Sequence, residues 1–463
     1  MSVSIGNKNI GQIFIGGKEV QSIYIGNKSV YENYKFTWSF NDSTHQATLT
    51  GYTDGTRTAV IIPSKIGHNG SLYDVVEIGN NAFKETYVTN VTIPDSVATI
   101  GSGAFRSCNR LESINIPDRV TSIEPFTFGS CGRLASITIP DGVTSIGSSA
   151  FSGCSSFTSI TIPDSVTSIG SSAFEYCTSL TSVTLPDSVT SIEEMMFRGC
   201  FGLTSITIPD NVTSIGSWAF QYCDNLTSVE FGNNSQLTSI GLGAFEGCSG
   251  LTSVTIPDGV TSIGRNAFFG CSSLTSVTFG ENSQLASIEV QAFYNCSNLT
   301  SITIPDGVTS IKRDAFYNCI SLTSVYYNRP IATYWATIFF GNNYANPLQY
   351  AHNLYYSGSL VTNLQISNDI NDYAFAGWNG TNITIAAFYI DEGAFYGCSN
   401  LTSVTLANSI KKISSTAFYL CSSLNEIYFE GTIAQWNAIT KGQSWYPSQG
   451  LTVHCSNGDV TIP

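Results

Sequence analysis

The cysteines of this 463-residue chain fall on a fixed step. Cys108, Cys131, Cys154, Cys177, Cys200 and Cys223 are each 23 residues apart. Cys248 follows after 25, Cys271 after 23, Cys296 after 25 and Cys319 after 23, and Cys398 and Cys421 resume the step of 23. Self-similarity at such a period marks an architecture of stacked units, and it overrides a domain count made from length. The same regularity argues against a disulfide framework. Stacked strands lie roughly 5 Å apart, close enough for a bridge. One identical position per rung is nevertheless better read as an apolar slot filled by free thiols. No C-x-x-C pair occurs, so zinc has no ligand set of the usual spacing.

One unit, LTSITIPDNVTSIGSWAFQYC from Leu203 to Cys223, shows how a rung is built. Leu203, Ile206 and Ile208 keep the L-x-x-L-x-L spacing of a leucine-rich repeat. Strand alternation turns Ile206 and Ile208 inward and Thr207 outward. Pro209 ends the strand because it has no N–H for the ladder, and Asp210-Asn211 suits a turn. Val212 and Ile215 return to the core through a second short strand. Gly216 allows a bend, and Ala219-Phe220 is expected to pack in a brief helical or 3₁₀ turn. One rung cannot bury its own apolar face, so neighbours must stack on it. The expected fold is an α+β repeat solenoid, single and right-handed, with 23-residue rungs of mostly short β-strands and a small N-terminal β-hairpin segment.

The motifs IPDGV, TSIG, AF and the final Cys resemble the BspA-type leucine-rich repeat family, from about Thr37 to the C-terminus. The resemblance implies a leucine-rich repeat solenoid, a place on bacterial surfaces (or in some mucosal protists) and a role in adhesion.

In chain order, residues 1–33 carry a different repeat of ten residues: Ile5-Gly6-Asn7-Lys8, Ile15-Gly16-Gly17-Lys18 and Ile25-Gly26-Asn27-Lys28. Gly-Asn and Gly-Gly turns between short apolar runs predict a meander of tight hairpins. Such hairpins are marginal alone, so Ile5, Ile15, Ile25 and Tyr24 are expected to anchor the segment on a partner. The form I-Y-I-G-N-K-x-V-Y resembles terminal segments of tailed-phage structural proteins; a degenerate first cap of the solenoid is the alternative. Residues 34–78 read as an N-terminal cap, 79–326 as regular repeats, 327–371 as an irregular aromatic rung, 372–425 as further repeats and 426–463 as a C-terminal cap. Within 327–371 a short helix is expected over IATYWATIFF and a hairpin at Ser357-Gly358. The turns FGNNSQ (231–236) and FGENSQ (279–284) replace IPD in two rungs and should form two bumps on one side.

Only 11% of residues are charged and the formal net charge is -14. That surface is a poor match for nucleic-acid phosphates, and no run of 18 apolar residues suggests a membrane span. The first residues, MSVSIGNKNI, lack the charged and apolar regions of a secretory signal. His45, His68, His352 and His454 are scattered, and no G-x-S-x-G, H-E-x-x-H or phosphate-binding loop appears. A non-enzymatic module without cofactor or metal is therefore expected. Asp95, Asp118, Asp141, Asp164, Asp187, Asp210, Asp258 and Asp306 follow the strand prolines; a turn role is the simple reading, a calcium column the alternative.

Two surfaces are candidates for binding. The exposed strand columns are threonine: Thr158, Thr181, Thr204 and Thr252 in one, Thr161, Thr184, Thr207 and Thr255 in the other. They suit a repetitive polar partner such as a glycan, with the generic use of threonine on an exposed β-surface as the alternative. The aromatics Tyr334, Trp335, Tyr344 and Tyr350 are the second candidate, with core packing of the irregular rung as the alternative. Two functions follow: a virion surface protein of a phage or prophage, docked through residues 1–33 onto other virion proteins or a second copy, or a bacterial cell-surface adhesin for host protein or glycan. The absent secretory signal and a reduced thiol column favour the virion reading, in which the protein is made in the bacterial cytoplasm.

Overall fold

The computed structural model describes residues 35–462 except 56, 57, 448 and 449, and the backbone of four short strands nearer the N-terminus. Those strands form two antiparallel hairpins, Phe14–Ile15 with Lys18–Glu19 and Ser22–Ile25 with Lys28–Glu32. Ile15, Tyr24 and Ile25 lie on their backbone, as the ten-residue repeat predicts; Ile5 and the first expected hairpin lie outside the described residues. The chain divides into two compact units, Met1–Val212 and Thr213–Pro463.

The first unit is capped by an antiparallel pair, Phe36–Asn41 and Gln46–Tyr52. The Asn41 side chain starts its turn by accepting the Ser43 and Thr44 N–H groups at 3.1 and 3.2 Å. Gln46–Tyr52 pairs in parallel with Ser71–Ile78, where the repeat begins. From there the rungs stack in register. Ser122–Ile123, Ser145–Ile146 and Ser168–Ile169 form a parallel ladder, and Ser159–Thr161 lies on Ser182–Thr184 with Thr161 opposite Thr184.

The second unit repeats the plan over more rungs. One parallel ladder runs through the short TSI strands from Ser214–Ile215 to Phe339–Phe340. The other runs from Ser228–Phe231 to Leu354–Tyr356. A third, from Asn363–Ile366 to Leu451–Cys455, is closed by the antiparallel strand Gly458–Ile462.

The expected helical turn at AF is not a helix, and this makes the α+β label a loose one. Instead, β-turns alternate with bonds between rungs. In the rung of Phe151, the Ala150 and Ser152 N–H groups bond locally to Gly147 and Ser149 carbonyls at 3.2 Å each. Ser149, Phe151 and Gly153 donate to Ser171, Ala173 and Glu175 of the next rung at 2.9, 2.9 and 2.7 Å. The cause is backbone geometry. Two residues four apart in each rung have positive φ, such as Ser149 (54°) with Gly153 (73°) and Gln291 (59°) with Asn295 (59°). Left-handed residues break the helical path and point alternate N–H groups along the stack. Among the described residues the α-helices are Leu348–Ala351 and Ile433–Ala438.

The core is a set of columns. Rings of the AF phenylalanines stack nearly parallel through Phe83, Phe105, Phe128, Phe151, Phe174 and Phe197, with centroids 5.0 to 5.7 Å apart. In the second unit Phe220, Phe245, Phe268, Phe293 and Phe316 stack at 5.2 to 5.5 Å. The column thiols are free and buried. Each recorded Sγ donates to the carbonyl of the preceding rung's AF phenylalanine, Cys154 to Phe128 at 3.2 Å and Cys271 to Phe245 at 3.2 Å. Thr86 holds the place in its own rung and contacts the Cys108 Sγ at 3.4 Å. Burial pushes Cys154, Cys200 and Cys319 up to about 12.

The irregular segment departs from expectation in part. The predicted helix over IATYWATIFF is a single 3₁₀ turn, Trp335–Thr337, followed by the strand Phe339–Phe340. Pairing of that strand with Ser310–Ile311 wins over helix propensity. The hairpin at Ser357-Gly358 forms, with φ of 46° and 77° at its two turn residues. The next rung carries Trp378 in the Cys slot, fully buried, with its indole N–H on the Val361 carbonyl at 3.0 Å. At the C-terminus, Ile433–Ala438 is started by a Thr432/Gln435 capping box and buries Trp436.

Candidate binding surface

The threonines take two different roles. Thr158, Thr181, Thr204 and Thr252 are exposed, yet the hydroxyls of the last three are drawn into the scaffold. Thr181 donates to the Thr158 carbonyl at 3.0 Å, Thr204 to Thr181 at 3.3 Å and Thr252 to Thr227 at 3.2 Å. These bonds stitch rung to rung within each unit. A parallel stitch runs along the TSI strands, where Thr238 donates to Thr213 at 2.9 Å and Thr261 to Thr238 at 3.2 Å. Thr161, Thr184, Thr207 and Thr255 stand on the open face of the longer strands, all exposed. Alternation alone placed them there.

In the second unit that open column does not stay threonine. Register carries it from Thr255 to Thr278, and from Thr303 to Tyr326 and Tyr355. Tyr326 and Tyr355 stack with centroids 5.0 Å apart and 25° between planes, offering one broad aromatic face. The C-terminal ladder ends the same way: Tyr428 is opposite His454, stacked at 5.0 Å. The His454 ring meets Asp459 at 2.9 Å, and the Tyr428 hydroxyl donates to Glu426 at 2.7 Å, which raises the Tyr428 pKa. Spacing could not find Tyr355 or His454 as column members, because the chain loses its period before each.

The other aromatic candidates separate. Trp335 is fully buried; it packs on Tyr327 and Phe340 and donates to the Ala374 carbonyl at 2.6 Å. It belongs to the core, where its buried N–H finds the carbonyl partner that burial demands, and it presents nothing to a ligand. Tyr350 is half-buried and its hydroxyl accepts the Asn318 N–H at 2.9 Å. Tyr344 is half-buried at the end of a ring column with Phe269, Tyr294 and Tyr317. Tyr334 remains exposed under the Arg329 guanidinium, 3.4 Å from its ring centroid. These four residues do not form one site.

The aspartates after the strand prolines sit in turns closed by a valine N–H on the proline carbonyl, as at Val143 to Pro140, 3.0 Å. All eight are exposed except the half-buried Asp210. Among the described residues no group of three or more His, Cys, Asp or Glu side chains is placed to hold a metal ion. None of the described helices is long and apolar enough to cross a membrane.

The BspA-type leucine-rich repeat region matches in six copies over residues 76–200, 144–248, 233–346 and 349–439. The chain belongs to the BspA-type leucine-rich repeat family. A leucine-rich repeat protein of Bacteroides ovatus is 30% identical over 89% of this chain and 97% of its own, with a TM-score of 0.65. A leucine rich cell surface protein of Faecalibacterium prausnitzii is 28% identical over 89% and 97%, with a TM-score of 0.46. The leucine-rich repeat protein of T. pallidum is 34% identical over 41% of this chain and 87% of its own, with a TM-score of 0.39. No curated protein matches. BspA-type solenoids are typically non-enzymatic modules that bind proteins or surface molecules.

Proposed function

We propose that this BspA-type protein is an adhesion module of a bacterial cell surface, gripping a protein or glycan on another cell through its open strand face. The observation that carries the reading is the outward column of the second unit, which after the exposed Glu230 is uncharged at Thr255, Thr278 and Thr303 and then presents the stacked Tyr326 and Tyr355. Amphipathic rings on a rigid ladder give contact area at little entropic cost, and tyrosine is a favoured hot-spot residue. The threonine hydroxyls supply adaptable hydrogen bonding beside them. Family membership supports a surface role, and nothing in the comparisons favours the virion reading.

The test is binding of the full chain to host epithelial cells, read by flow cytometry. The double variant Tyr326→Ala/Tyr355→Ala should lose at least about tenfold in apparent affinity, the size of a hot-spot loss, with an unchanged melting temperature. Equal binding by the variant sinks the reading.

A further inference from the structure

The longer turns 231–236 and 279–284 flank a rung that keeps the short IPDG turn, and the difference in length leaves a trough. The strands before them, Ser228–Phe231, Ser253–Ile256 and Ser276–Phe279, are consecutive in one ladder. Each flanking rung has two extra residues, seen in the cysteine steps of 25 rather than 23. Between them opens a cavity of about 600 Å³, lined among others by Glu230, Phe231, Asn233, Thr255, Pro257 and Asp258. This volume lies within the range of small-molecule sites.

The trough is built firmly. Asp258 reaches across to the far turn, where its carboxylate accepts the Asn282 N–H at 3.1 Å. The close approach requires glycine at Gly280, because any Cβ there would overlap the Asp258 carboxylate. On the near side, the Ser235 N–H donates to the Gly232 carbonyl at 3.2 Å and its hydroxyl accepts the Leu237 N–H at 3.3 Å. Ile256 closes the floor, fully buried, with Pro257 and Phe231 half-exposed beside it.

We infer that this trough is a subsite for one uncharged sugar unit of a glycan. The lining combines a half-exposed phenyl ring and a proline ring with carboxylate, amide and hydroxyl groups. That set suits a pyranose, whose C–H face packs on apolar rings while its hydroxyls donate to acceptors. Asp258 offers the remaining lone pairs of its carboxylate as acceptors beside the bond from Asn282, and no lysine or arginine lines the cavity. The local field therefore rejects sialylated and sulfated sugars. The inference deepens the adhesion reading, since Thr255 belongs both to the open strand column and to the trough.

The experiment uses the full chain on a printed panel of neutral, amino, sialylated and sulfated oligosaccharides, with titration calorimetry of the best neutral binder. Thr255→Arg projects a long cation into the trough from an exposed strand position, and Asn233→Ala trims its rim without touching the ladder. The expected result is binding of neutral saccharides alone, weakened at least tenfold by Thr255→Arg and measurably by Asn233→Ala, with melting temperatures unchanged. Absence of neutral binding, preference for anionic or amino sugars, or indifference to both trough variants overturns the inference. If cell binding still depends on Tyr326 and Tyr355 in that event, the adhesion reading stands without the subsite. If the trough binds sugar while cell binding ignores the tyrosines, the strand-face reading fails and the subsite remains.

Discussion

A buried thiol whose Sγ donates to a carbonyl is costly to ionise, and the column multiplies that cost. Burial raises Cys154 from an ordinary 9.0 to about 12 and does the same to Cys200 and Cys319. Below pH 9 both folded and unfolded thiols are protonated, so stability is insensitive to pH on their account. Between 9 and 12 the unfolded thiol releases its proton while the folded one keeps it. Stability is then lost as pH rises, by up to about 1.4 kcal/mol per pH unit for each such thiol. Urea unfolding of the full chain from pH 8 to 11 should show a flat region and then a steep fall above 9. A thiol reagent at pH 8 should find one fast group, the half-exposed Cys455, and the twelve buried ones only after unfolding. Left-handed positions give a second prediction at this scale. Gly153 has φ of 73° and its nearest neighbour stands 3.4 Å from an added Cβ, so Gly153→Ala should cost about 1 kcal/mol of strain alone. Gly247 has φ of 74° but its Cβ would lie 2.5 Å from the Tyr222 ring, so Gly247→Ala should cost more. Thermal melts of the two variants decide the order.

The irregular segment is held by one side chain more than by its own regular structure. Asn346 is fully buried. Its amide donates to the Tyr373 and Ala374 carbonyls at 2.8 and 2.9 Å, and its oxygen accepts the Leu348 N–H at 2.9 Å. These bonds start the helix Leu348–Ala351 and tie it to the next rung. Asn346→Ala strands buried polar groups, each worth about 1–3 kcal/mol, so the variant should lose about 2–4 kcal/mol in chemical unfolding. Thr432→Ala, at the exposed start of Ile433–Ala438, removes a cap and should cost only about 1 kcal/mol. If the two variants are equally stable, the segment is not pinned through Asn346.

Across the whole chain, rungs gain stability from their neighbours, and the ends have to be closed. The pair Phe36–Asn41 and Gln46–Tyr52 covers one end, and the strand Gly458–Ile462 closes the last ladder. The hairpins Phe14–Glu19 and Ser22–Glu32 pair, among the described residues, only within themselves. Deleting residues 1–33 should therefore leave the calorimetric transition of the repeats unchanged. Any self-association seen by light scattering should be lost with the deletion, since free hairpin edges pair readily with another chain. Collapse of the repeat transition in the truncated protein would make the segment a cap instead.

The repeat, the inward Ile and Val positions, the thiol column and the outward placement of Thr161, Thr184 and Thr255 were legible in the sequence, because each depends on local alternation and a strict period. The AF turn was not: whether an N–H bonds along a helix or across to the next rung depends on a neighbour at the right distance, and two left-handed residues per rung settle it for the stack. The hydroxyls of Thr181 and Thr252 looked available for ligands until the adjacent carbonyl appeared within reach. Where the period lapses after Cys319, composition alone could not sort Trp335 from Tyr326. Tertiary packing did, burying the indole on the Ala374 carbonyl and leaving the phenol outward against Tyr355, because one ring had a partner for its N–H inside and the other lay on the solvent side of its strand.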